Sequence, residues 1–213
     1  MEDELLLKLV DKSMTKEEFL QRVKQDFELL PKIFSGVSSS KAAIRYSCAK
    51  VLMDLSEEYS EKLYPHMDFF INLLESQYRI LTWNAMASIA NLTKVDTLGK
   101  FEEIFDKYYR FINDAYMVTV ANVVGNSGKI AVAKPHLIPK ITNQLLKVEH
   151  ISITPHLTEE CKRVIAEKAI KSFNMFFDKI EDKAKVISFV ERQSNSCRKS
   201  LRKQADKFLK KWD

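Results

Sequence analysis

Apolar residues recur at i, i+3, i+4 and i+7 along almost the whole chain, the spacing of helices that each bury one face. The apolar runs are short: Leu5–Leu7 ends at a lysine, and the run from Met67 to Leu74 is broken by Asp68 and Asn72. None approaches the roughly 20 residues that a bilayer requires. The pattern predicts a capping helix near 3–12, carrying Leu5, Leu6, Leu9 and Val10, followed by paired helices. The pairs are 16–35 with 40–58, 62–76 with 79–94, 98–113 with 115–131, 136–149 with 158–178, and 182–193 with 196–212. The stretch 150–158, HISITPHLT, reads as a loop inserted between the helices of the fourth pair.

A longer periodicity lies over the helical one. With Arg45 as head, small or apolar residues follow at +3, +7 and +10: Cys48, Leu52 and Leu55. Further copies read Thr82, Ala85, Ile89, Leu92; Val118, Ala121, Gly125, Gly128; Arg163, Ala166, Ile170, Phe173; and Arg202, Ala205, Leu209, Trp212. The heads are 37, 36, 45 and 39 residues apart. A repeat near 40 residues with two helices per unit predicts a helical solenoid. The small residue at +3 lets one helix cross another closely. The third copy is degenerate at its end.

Runs such as YPHMDFFINLLESQYRILTWNAMASIANL (64–92) and LIPKITNQLLK (137–147) put proline near the start of a first helix and a leucine pair near its end. In this the chain resembles HEAT-repeat proteins, over about residues 27–212. The arginine head stands only at Arg45, Arg163 and Arg202. The acidic residue of the family's inter-helix turn is replaced, with Ser76, Asn113 and Ser196 near its place. The resemblance implies an all-α fold, a right-handed α-α superhelix (α-solenoid) of about five HEAT-like hairpins with an N-terminal capping helix. It is read as one repeat domain over 1–213. It also implies that the second helices line a concave, partner-binding face.

Composition supports helices: only four glycines and five prolines occur in 213 residues. Cys48, Cys161 and Cys197 are odd in number and far apart, the usage of a reducing compartment. With an acidic N-terminus in place of a basic signal segment, a soluble, cytoplasmic protein is expected. The net charge is +5, and residues 196–213 carry seven lysines and arginines against two aspartates.

Taking +2, +5 and +9 from each head as the outward positions selects Lys50, Asp54, Asn84, Asn91 and Lys168, with Asn122 and Asn126 beside the third set. These are the candidate partner-binding residues, since amides and amines suit hydrogen bonding to an extended peptide. Lys199, Lys203, Lys207 and Lys210 form a candidate basic patch, whose alternative reading is a solvated face. Trp83, Tyr108, Tyr109 and Phe111 are either interface anchors or packing, and Trp212 falls on a core position. His136, His150, His156 and Cys161 match no zinc signature, Gly125–Gly128 lacks the spacing of a phosphate-binding loop, and no Gly-x-Ser-x-Gly elbow occurs. No catalytic residue, metal or cofactor is assigned.

Two functions follow. The first is a non-catalytic scaffold or adaptor that binds a protein or peptide, with no role for a membrane. The alternative is a nucleic-acid-binding HEAT-like protein similar in architecture to the alkylpurine DNA glycosylases. Those enzymes need a tryptophan-lined cleft with a carboxylate, and only Trp83 and Trp212 are available here.

Overall fold

In the computed structural model the described residues are 4–212; Met1, Glu2, Asp3 and Asp213 lie outside them, and with Asp3 the first position of the expected capping helix. The described residues form helices joined by short turns, and their only extended pairing is an isolated bridge between Thr154 and Leu157. The chain divides into two compact units, Met1–Asp96 and Thr97–Asp213.

The first unit contains α1 (Glu4–Leu7), α2 (Lys16–Gln25), α3 (Leu30–Gly36), α4 (Ala42–Glu58), α5 (Ser60–Leu63), α6 (Met67–Leu73) and α7 (Arg79–Leu92). The expected capping helix shortens to α1, which still buries Leu6, and Leu9 is buried beyond it. The first helices expected at 16–35 and 62–76 are each broken. After α2, whose N-terminus is closed by a reciprocal Thr15–Glu18 capping box, the Asp26 carboxylate accepts the Glu28 amide and starts a 3-10 turn. Between α5 and α6 the break is at Pro65, which has no N–H to continue the ladder. The second helices run unbroken, and α4 packs along α7. At Gly36, in α3, a Cβ would stand 2.5 Å from the Cys48 sulfur, so glycine is what lets α3 approach α4.

The second unit contains α8 (Lys100–Glu103), α9 (Phe105–Tyr109), α10 (Met117–Ala133), α11 (Ile138–Leu146), α12 (Glu159–Phe173), α13 (Lys183–Gln193) and α14 (Lys199–Trp212). Here the expected helix 98–113 is interrupted at Ile104, and nothing in the local sequence accounts for that break. Helix α12 lies between α10 and α14. Phe101, Tyr108 and Tyr109 cluster edge-on, with Tyr109 bonded to Ser127 of α10, while Phe177 meets Phe208 edge-on and Trp212 at a tilt on α14. The 150–158 stretch is a docked turn. The Thr154 hydroxyl donates to the Ala115 carbonyl at 2.6 Å, the Met117 amide donates to the His156 carbonyl, and the His156 ring stacks on Tyr116. Leu157 anchors it, fully buried.

The turns that lead into α4, α7, α10 and α14 are built alike. Side-chain oxygens of Ser39, Ser76, Asp114 and Ser196 accept the backbone amides of Lys41, Tyr78, Tyr116 and Arg198, two residues on. Near Asn113, where the turn acid reads as replaced, the structure places an acid after all, Asp114. The fourth repeat differs, with Thr158 capping α12 directly.

These turns correct the third copy of the repeat. Arg45, Thr82 and Arg202 each stand six residues after the turn oxygen, which puts the third head at Val120, two residues later than Val118. Val118 is exposed, whereas Val120, Val123, Ser127 and Ile130 are fully buried, like Cys48, Leu52 and Leu55 in α4. The spacing becomes 37, 38, 43 and 39. The core position that hid the register is Ser127. Its hydroxyl is satisfied by donating to the Val123 carbonyl and accepting from Tyr109, so it is buried without penalty.

Candidate functional site

With the register corrected, the +5 position of each second helix is Lys50, Ala87, Gly125, Lys168 and Lys207, and none of these is buried. The +2 position is Ser47, Asn84, Asn122, Ile165 and Gln204, and +9 is Asp54, Asn91, Lys129, Ser172 and Lys211. Only part of these two rows reaches solvent: Ser47, Asn91, Ile165 and Ser172 are buried. Second helices are flanked on both sides and backed by first helices, so their buried arc is wider than a single amphipathic stripe.

In the first unit, Lys50 and Asp54 pair with each other at 2.5 Å across one helical turn. Asn84 is half-buried, with its side chain making no hydrogen bond among the described residues. Asn91 is a packing residue, since its amide donates to the Ser56 hydroxyl at 3.0 Å and ties α7 to α4. Trp83 is half-buried on the same helix, one residue before Asn84.

In the second unit, Asn122 and Asn126 stand on successive turns of α10. Each amide donates back to the carbonyl four residues earlier, Val118 at 2.8 Å and Asn122 at 2.9 Å. An amide has two donors and a carbonyl acceptor. One N–H and the oxygen of each side chain therefore remain uncommitted among the described residues. Side chains a turn apart on a helix lie about 6 Å apart, close to the two-residue repeat of an extended backbone at about 6.6 Å.

Gly125 lies beside this pair, exposed, and a Cβ there would be 3.6 Å from the Lys168 Cδ and 3.7 Å from its Nζ. The Lys168 chain thus lies over bare backbone, where α10 and α12 meet. The contact is tight because the Ser172 hydroxyl donates to the Val124 carbonyl at 2.6 Å. A Cβ on Gly128 would come 3.1 Å from the Ser172 Cα and 2.5 Å from the Met175 sulfur. Sequence reasoning placed Gly125 on the core stripe and so missed it; the turn oxygen at Asp114 is the signal that recovers its register.

Lys199, Lys203, Lys207 and Lys210 are all exposed, and none makes an ion pair among the described residues. Three of them differ in kind from Lys207. In register, Lys203, Asp206 and Lys210 correspond to Ala121, Val124 and Gly128, the side that α10 turns towards α12. With Lys199 one turn earlier they make that side of α14 a charged, solvated face. The acids on α12 are already engaged. Glu160 is bound by Arg198 and Arg163, which hold its carboxyl below the usual range. Glu167 is pushed up by partial burial, but Lys171, Ser200 and Arg198 bond it and hold it lower on balance.

The remaining candidates are structural. Tyr108 and Tyr109 are buried, and burial raises both phenols, the Tyr109 one against a lowering hydrogen bond to Ser127. Trp212 donates its indole N–H to the Asn174 side chain at 3.0 Å. His136 bonds Glu102, which also holds the buried Lys134. Among the described residues no three His, Cys, Asp or Glu side chains converge as a metal would need, and no helix is long and apolar enough to cross a membrane. An open cleft of about 410 Å³ beside α12 and α13 is walled by charges that neutralise each other, with Arg192 gripping Glu149 through two bonds of 2.7 and 2.6 Å.

No protein-family profile and no curated protein matches the chain. Solved structures do. A designed armadillo repeat protein in complex with the peptide (KR)4 superposes with a TM-score of 0.66 at 17% identity, over 98% of this chain and 91% of that one. A second designed armadillo repeat protein gives 0.62 at 17% identity over 97% and 90%. The chain has an armadillo-type α-solenoid fold. A computationally designed armadillo repeat protein for modular peptide recognition aligns at 0.59 and 16% identity, over 97% and 90%.

Proposed function

We propose that this protein is a non-catalytic repeat scaffold that binds an extended peptide segment of a partner protein along the exposed face of its second helices. The observation that carries the reading is the pair Asn122 and Asn126. Each keeps one N–H and its oxygen uncommitted among the described residues, the two stand at the spacing of an extended backbone, and they lie beside exposed Gly125 and the Lys168 chain. Such a site needs little rearrangement on binding, because the helices that hold it are packed in place. The structural neighbours support it: one was solved with a bound peptide and another was designed for peptide recognition. In the first unit Asn84, at the same +2 position as Asn122, is the equivalent contact, with the Lys50–Asp54 pair at +5 and +9.

The test is selection of binders from a random peptide display library, followed by titration calorimetry of the selected peptides. Asn122→Ala with Asn126→Ala is expected to weaken binding at least tenfold while leaving the thermal midpoint nearly unchanged. If no peptide is selected, or if the double variant binds as well as the parent, the reading fails.

A further inference from the structure

We infer that the peptide taken up by the second unit is acidic, with carboxylates about three residues apart, held by Lys168 and Lys207. This rests on the peptide-binding reading above and adds to it the charge and spacing of the ligand.

The argument starts from the +5 row. Along α10, α12 and α14 this row reads Gly125, Lys168, Lys207, and these three helices pack in that order. Both lysines are exposed, and neither has an ion-pair partner among the described residues. Nearby cations are different: Lys171 is bound by Glu167, and Lys211 is engaged with the Asn174 side chain and the Trp212 ring. Glu160 and Glu167 of α12 are turned to Arg198. Two uncompensated amines are left on adjacent helices, on the side where the asparagine amides also face outward.

Packed helices lie about 8–10 Å apart. An extended chain advances about 3.3 Å per residue, so a peptide crossing from α12 to α14 meets the next lysine after about three residues. Asn122 and Asn126 would meet its backbone on α10, where Gly125 adds no side chain of its own beside the Lys168 amine. This face has the same sign of charge as the (KR)4 peptide of the structural neighbour, and so would repel a ligand of that kind.

The experiment is fluorescence anisotropy with three labelled dodecapeptides of one design, carrying glutamate, glutamine or arginine at every third position. It is run at low and at physiological salt on the full chain. The expected result is tightest binding of the glutamate peptide, at least tenfold weaker at the higher salt. Lys168→Glu and Lys207→Glu should each weaken it about tenfold, while Lys185→Glu, on α13, leaves it unchanged. Circular dichroism would confirm that each variant folds. If the glutamine or arginine peptide binds equally well or better, the charge inference is overturned and the peptide reading stands. If none binds, both fall. If a single-stranded DNA of equal charge binds as tightly and shows the same sensitivity to Lys168→Glu and Lys207→Glu, the ligand is a polyanion in general, and the inference of an acidic peptide is overturned.

Discussion

Arg45 lays its guanidinium on the ring of Tyr78, 3.9 Å from the centroid, and donates at 2.8 Å to the carbonyl of Ser39, the residue whose side chain opens the turn before α4. One side chain therefore joins a turn of one repeat to an aromatic ring of the next. Arg202 repeats half of the device, donating to the Ser196 carbonyl at 2.9 Å. Two of the three arginine heads, Arg45 and Arg202, thus close onto carbonyls of their own turns, whereas Arg163 pairs with Glu160.

Arg45 is buried, so removing it leaves carbonyls without a donor and a ring without its cation. Arg45→Ala is expected to cost about 2–3 kcal/mol in urea denaturation. Arg45→Lys should recover little of this, since an ammonium cannot both lie flat on Tyr78 and reach Ser39. Equal stability of the alanine variant would show that the contact is incidental.

The two glycines of α10 should respond in opposite directions. Gly128→Val must displace the Ser172 backbone as well as Met175, and is expected to cost about 2–3 kcal/mol. Gly125→Ala meets only ordinary contact distances at Lys168, and the gain in helix propensity should raise stability by up to about 1 kcal/mol. Thermal denaturation of both variants measures the difference, and a destabilised Gly125→Ala would contradict the register derived from Asp114.

Tyr109 and Ser127 form a buried pair at 3.1 Å, in which the hydroxyl of Ser127 also serves Val123. Ser127→Ala strands a buried phenol and should cost about 2 kcal/mol, whereas Tyr109→Phe removes a donor and should cost about 1 kcal/mol. The double variant should cost less than the sum of the two. Additive losses in denaturant titrations would show that the two groups are not coupled.

Acid should weaken the contact between α12 and α14. The carboxyls of Glu160 and Glu167 sit below their ordinary value of 4.5 in the folded chain. A depressed folded value contributes stability that is present above the unfolded value and is lost as pH falls through the folded one. The wild-type protein should therefore lose thermal stability from just above pH 4.5 downward, and Arg198→Ala should flatten that slope by lowering stability at pH 7 while changing little in acid. A variant with an unchanged acid limb would remove Arg198 from this role.

Thiol chemistry should separate the cysteines. Burial pushes the Cys48 thiol up to about 12, whereas Cys197 is exposed. A thiolate is the reactive form. Native protein at pH 8 should label rapidly at Cys197 and at Cys48 only on unfolding, as read by mass spectrometry of the alkylated peptides. Rapid native labelling of Cys48 would mean that α3 and α4 separate readily at Gly36.

The helical content, the pairing of helices and the repeat near 40 residues could be read from the chain because they are properties of spacing. The core residues Cys48, Leu52, Ala85, Ile89, Ala166 and Ile170 sit where the pattern put them. The break at Pro65 is partly legible, since proline stands near the start of a first helix, whereas nothing in the apolar spacing marks the one at Asp26. What misled was the third repeat, where Ser127 looked too polar to be core and Gly125 too small to be surface. Of the candidate binding residues, Asn91 is taken up in packing and Lys50 pairs with Asp54, while Asn122, Asn126 and Lys168 gather around Gly125.

By itself, then, the order of residues determined that this chain forms amphipathic helix pairs in series, because burial of apolar faces follows from periodicity alone. Only the tertiary structure decided which polar residues remain available. Whether an asparagine or a lysine faces a neighbour or solvent depends on how many sides of its helix are covered. That number is set by helices distant in sequence: α4 beside α7, and α12 held between α10 and α14.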